Sequence, residues 1–171
     1  RPATGPWPGG MDVRTAVVTG ASRGLGAAIA RMLAEEGCAL VLGARATEQL
    51  DALATSLHRE HGVPVVTAAL DVTDGASVAA LCRLALESTG RVDIVVANAG
   101  IGDFARIVDT DESTFRSLLE VNVLGVWRTM AAFATALEAA PTRGLVIVLS
   151  SDVSDRVFAG GGPYVAPLHA V

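Results

Sequence analysis

No lysine occurs anywhere in this chain: all 13 of its basic residues are arginines. Chemistry that needs an ammonium group has no donor here, and the only strong cation on hand is guanidinium. Cysteine is nearly as scarce. Cys38 and Cys82 stand far apart in no C-x-x-C or metal-ligand spacing, which fits buried free thiols in a reducing cytoplasm and gives no metal site. Charged residues make up only 18% and the net charge is −5, so neither a nucleic-acid surface nor an anionic-membrane surface is expected. No apolar stretch reaches membrane-spanning length without a charge or a glycine. The opening RPATGPWPGG lacks the apolar segment of a secretory signal. Residues 1–10 are expected to be a flexible leader or tag remnant, with one domain over residues 11–171.

What is present is hydrophobic bulk, 51% of 171 residues, enough for a proper core. It is arranged in two alternating textures. Short β-branched runs (VRTAVVTG, ALVLGA, VPVVTAAL, RVDIVVANAG, GLVIVLSS) are continuously apolar, as in strands buried on both faces. Between them, LGAAIARMLAEEG, ATEQLDALATSLHREHG and DGASVAALCRLALESTG have helical spacing, and each finishes in glycine. A longer helical stretch runs from residue 111 to Pro141. Five strand–helix alternations predict an α/β fold, a doubly wound parallel sheet in three α/β/α layers.

The first strand runs into TGASRGLG. Gly20 permits a sharp turn, Gly24 lets backbone approach a pyrophosphate, and Gly26 lets the next helix pack closely on the sheet. A helix starting near Gly24 offers free N–H groups and a positive dipole end to phosphates. A glycine turn by itself can be bare geometry, but between a first strand and a first helix it reads as a dinucleotide cradle. The second strand ends in Gly43, Ala44 and Arg45, with no carboxylate to accept a ribose 2′-hydroxyl. Arg45 and Arg23 are suited to a 2′-phosphate instead, so NADP(H) is the expected cofactor.

With TGASRGLG, ANAG and a serine–tyrosine pair in order, residues 11–171 resemble the short-chain dehydrogenase/reductase family, whose fold is Rossmann-type. The resemblance implies that Gly20, Ser22, Arg23, Gly24, Leu25 and Gly26 bind the dinucleotide. It implies that Asp71, with Val72, contacts adenine and that Asn98, Ala99 and Gly100 close the pocket beside the ribose. Asn122, Ser151 and Tyr164 become the catalytic residues, Tyr164 also touching cofactor. Ser151 is preferred to Ser150 because it lies thirteen positions before Tyr164.

Hydride would pass between nicotinamide and a carbonyl or alcohol carbon of a small molecule, with Tyr164 moving the proton. Free tyrosine is only about one part in a thousand phenolate at neutral pH. The family supplies a lysine four residues after the tyrosine; this chain has Leu168 there. Neither His169, off that helix face, nor Arg156, in the serine–tyrosine loop, is an obvious replacement. Slow turnover favouring reduction is one expectation, and a silent nucleotide-binding or scaffold protein is the alternative. The last helix, expected to start near Tyr164 with Pro167 in its first turn, has no stop signal, which implies truncation after the fifth strand. Phe104, Ile107 and Phe158 imply an apolar substrate rim. A homo-oligomer is possible on family grounds.

Overall fold

The computed structural model describes residues 13–155 and 158–170. Strand β1 (Thr15–Thr19) leads into helix α1 (Gly24–Glu35), then β2 (Ala39–Ala44), α2 (Thr47–His61), β3 (Val65–Ala69), α3 (Gly75–Thr89) and β4 (Ile94–Ala97). Helices α4 (Glu112–Leu119) and α5 (Gly125–Glu138) follow, then β5 (Leu145–Val148) and α6 (Gly162–Leu168). The five strands form one parallel sheet in the order β3-β2-β1-β4-β5. The order reverses between β1 and β4. That is the place where an open α/β sheet leaves a crevice at its carboxyl edge.

Alternation along the strands builds two cores. Ala16, Val18, Leu40 and Leu42 face one side with Ala30, Ala34, Leu50 and Leu57 of α1 and α2. Val17, Val41 and Val95 face the other with Val78 and Leu81 of α3 and Phe133 of α5. Gly62 and Gly90 end α2 and α3 in left-handed conformations, as their positions predicted. Asp74 caps α3 through the Ala76 N–H at 2.8 Å, and Asp111 caps α4 through the Thr114 N–H at 2.8 Å. No helix among the described residues is long and apolar enough to cross a membrane.

Three details depart from the sequence reading. The strands are not all buried on both faces. Strand β3 is only half-buried, and on β5 Leu145, Val146 and Ile147 are 50%, 37% and 39% exposed. Among the described residues both stand at an edge of the sheet, with a neighbour on one side only. The long helical stretch is not one regular helix, because a π-turn over Glu120–Leu124 separates α4 from α5. Helix α6 starts at Gly162, which puts Pro163 in its first turn and Pro167 inside the helix.

Candidate active site

The site begins with a polar knot at the switch point. Thr19 Oγ1 accepts from the N–H groups of Asn98 (3.0 Å) and Ala99 (3.1 Å) and donates to the Val96 carbonyl (3.3 Å). Asn98 Nδ2 donates back to the carbonyls of Thr19 (2.9 Å) and Gly20 (3.2 Å). The ends of β1 and β4 are thus sewn together. Gly20 has φ +67°, and a Cβ there would lie 2.9 Å from Ala99 Cα, so both conformation and space require glycine. Gly24, at φ +58°, meets nothing within 4 Å, and the loop presents bare backbone where α1 starts. An exposed turn and a helix N-terminus without an acidic first turn fit a pyrophosphate.

Arg23, at the start of α1, and Arg45, just after β2, are both exposed, and no ion pair involves either among the described residues. Asp71 follows β3. Its carboxylate accepts from the Thr73 N–H (2.9 Å) and Thr73 Oγ1 (2.8 Å), which hold it below the ordinary aspartate range, with the Arg45 charge adding to the same effect. A carboxylate depressed in the fold contributes stability that is present above the unfolded pKa and lost as pH falls through the folded one. The turn at Asp71 should therefore keep its protection at neutral pH and lose it below the usual aspartate range. Hydrogen exchange at the Thr73 amide across an acid titration reads this directly. Exchange, corrected for intrinsic rate, that ignores pH would contradict it. Asp71 does not cap α3; Asp74 does.

On the other side of the crevice, Asn122 is buried in the π-turn and pairs with a single residue. Its Oδ1 accepts from the Ile101 N–H and its Nδ2 donates to the Ile101 carbonyl, each at 2.9 Å. The partner that a buried mid-helix amide requires is thus a backbone unit of the loop after β4. A cavity of about 220 Å³ lies between that loop, the start of α1 and α6. Asn98, Gly100, Asn122, Ser150, Tyr164 and Leu168 line it. Leu168 is 7% exposed and sits one turn after Tyr164, on the same cavity wall.

Of the two serines, Ser150 lines the cavity. Ser151 Oγ lies 3.2 Å from Asp152 Oδ1 and accepts from the Val153 N–H at 3.4 Å, at the head of a short 3₁₀ turn. Arg156 lies outside the described residues. His169 is exposed, its Nδ1 3.0 Å from the Val165 carbonyl of its own helix. Phe104 packs on the Tyr164 ring, with centroids 4.9 Å apart at 58°, and approaches Phe158 at 6.2 Å. The Ile101 backbone and the Phe104–Tyr164 contact were absent from the sequence reading. An asparagine in mid-helix signals that a partner exists but not which one.

The profile of the family described as short chain dehydrogenase matches residues 14–171. Glycine betaine reductase of Emericella nidulans is 40% identical over 158 residues, which cover 92% of this chain and 12% of that protein. An alcohol dehydrogenase structure from the archaeon Thermococcus sibiricus, complexed with 5-hydroxy-NADP, superposes with a TM-score of 0.89 at 48% identity, covering 93% of this chain and 67% of that one. A short chain dehydrogenase/reductase structure from Burkholderia phymatum in complex with NAD superposes with a TM-score of 0.87 at 31% identity, covering 93% of this chain and 56% of that one.

Proposed function

Because the chain belongs to the short chain dehydrogenase family, we propose that it is an NADP(H)-dependent oxidoreductase acting on a small carbonyl or alcohol. The observation that carries this reading is the shared cavity. Asn122 and Tyr164 line it together with Asn98 and Gly100 of the switch-point loop. Relatives of the same fold were solved with 5-hydroxy-NADP and with NAD. The cofactor supplies or accepts a hydride when bound.

The chain's own residues do the rest. The turn from Gly20 to Gly26 and the N-terminus of α1 hold the pyrophosphate, with Ser22 and Leu25 on that turn. Arg23 and Arg45 supply the charge that a 2′-phosphate needs. Asp71 and the Val72 backbone face the adenine. Asn98, Ala99 and Gly100 flank the ribose. Tyr164 gives its phenolic proton to the substrate oxygen during reduction, and a serine at the end of β5 steadies that oxygen. Family spacing nominates Ser151, whereas the cavity lining favours Ser150. Reduction asks the phenol only to donate a proton. Oxidation asks it to be ionised first, and Leu168 offers no charge to help. Reduction by NADPH is therefore the favoured direction.

A silent nucleotide-binding protein is the second reading, favoured by the apolar Leu168 in the cavity wall. A cytoplasmic setting fits the two buried free cysteines. Self-association fits the exposed Leu124, Trp127 and Met130 on and next to α5.

Calorimetric titration tests the cofactor assignment. NADPH should bind more tightly than NADH, and Arg45→Ala should weaken NADPH roughly tenfold, about 1.4 kcal/mol, while leaving NADH unchanged. Equal affinity of the unaltered protein for both cofactors would remove the role given to the two arginines. Binding with no reduction across a panel of aldehydes and ketones would favour the silent reading.

A further inference from the structure

Arg128 of α5 makes a contact unlike the other surface ion pairs. Its guanidinium meets Glu120 Oε1 at 2.5 Å, across the π-turn, with the two side chains 22% and 38% exposed. Its other terminal nitrogen lies 3.5 Å from the carbonyl of Val72, in the loop after β3. By contrast, the Glu112–Arg116 pair of α4 is an ordinary one-turn pair with both side chains 75% exposed, of the kind that contributes only tenths of a kcal/mol. A second contact joins α5 to the same loop. Val72 is buried, and a Cβ on Gly125 would lie 2.8 Å from Val72 Cγ2. Asn122, between Glu120 and Gly125, holds the Ile101 peptide in the loop after β4. One helix thus grips both loops.

Resting on the function proposed above, we propose that Arg128 is a positioning residue for the cofactor site. With Glu120 it clamps the π-turn, and through the Val72 carbonyl it fixes the Val72–Thr73 peptide, whose N–H donates to the Asp71 carboxylate assigned to adenine. The distance between the adenine loop and the Asn122–Ile101 pair is then set by one side chain and one close helix contact. Removing the guanidinium leaves Glu120 without its partner and frees the Val72 carbonyl, so the β3 loop loosens while the sheet stays intact.

The test uses Arg128→Met, which keeps most of the apolar stem, and Arg128→Lys. In the protein without ligand, amide exchange at Thr73 and Asp74 should quicken about tenfold in Arg128→Met while the amides of β1 and β4 keep their protection. Adenosine 2′,5′-bisphosphate, which reports on the adenine end alone, should bind about five- to tenfold more weakly. Nicotinamide mononucleotide, a probe of the other end, should lose less. Arg128→Lys should recover part of both changes. A purely structural role would lower the melting temperature without separating the two probes. Unchanged exchange at Thr73 and Asp74 in Arg128→Met overturns the clamp. Unaltered protein that ignores adenosine 2′,5′-bisphosphate overturns the dinucleotide reading instead, and the exchange rates then decide the clamp alone.

Discussion

Replacing Leu168 with lysine should raise the rate of NADPH-dependent carbonyl reduction by about a hundredfold or more, within the range a positioned acid–base group contributes. Leu168 lies one helical turn after Tyr164, and both line the same cavity. An ammonium at that point stands beside the phenol and stabilises the phenolate left after proton donation. It also adds donors to a cavity whose other polar groups are amides and hydroxyls. The substitution has a cost, since Leu168 is 7% exposed and a buried unpaired charge is penalised by several kcal/mol. Leu168→Lys should therefore melt lower than the unaltered protein, and NADPH should restore part of the difference. Two controls separate charge from shape. Leu168→Met, which keeps volume and adds no charge, should leave the rate unchanged. Tyr164→Phe introduced alongside Leu168→Lys should erase the gain, because the phenolic proton is what the cation acts through. A Leu168→Lys protein that binds NADPH normally yet turns over no faster would sink the role assigned to this position.

The sequence displays the parts of this fold that depend on local chemistry. Continuous β-branched runs, the glycine turn after β1, and the glycines ending α2 and α3 are features a short window reveals, and the sheet and its helices follow from them. Exposure is not local. Leu145, Val146 and Ile147 read like any buried strand, and only the sheet order shows that among the described residues β5 has a neighbour on one side. The π-turn at Glu120–Leu124 escapes for a similar reason. Its apolar spacing runs on from the flanking helices, and the partner of Asn122 at its centre is a peptide 21 positions earlier. Spacing from Tyr164 points to Ser151 and the cavity lining to Ser150, because chain distance does not by itself fix side-chain direction.

Gly26→Ala should be the most damaging single methyl added to this chain. A Cβ at Gly26 would strike the Gly20 carbonyl oxygen and would come within 2.5 Å of Asn98 Nδ2 and 3.0 Å of Ala21 Cα. Asn98 cannot simply swing away, because Nδ2 donates to the carbonyls of Thr19 and Gly20. The backbone cannot retreat either, since Gly20 already turns with φ +67° against Ala99. The methyl therefore forces α1 off the sheet or breaks the bonds between β1 and β4. Overpacking together with one or two lost hydrogen bonds gives about 2–4 kcal/mol of destabilisation. For a chain of this size that is a fall of roughly 5–15 °C in melting temperature. NADPH affinity should drop at least tenfold in the same protein, because the displaced carbonyl and helix end are the ones assigned above to framing the phosphates. Gly62→Ala supplies the comparison. Gly62 is also left-handed, at φ +69°, but nothing lies within 4 Å of its missing Cβ and it sits at the far end of α2. It should cost about 1 kcal/mol and leave NADPH binding untouched. If both substitutions cost the same and neither disturbs binding, the close approach at Gly26 is not what shapes the cradle.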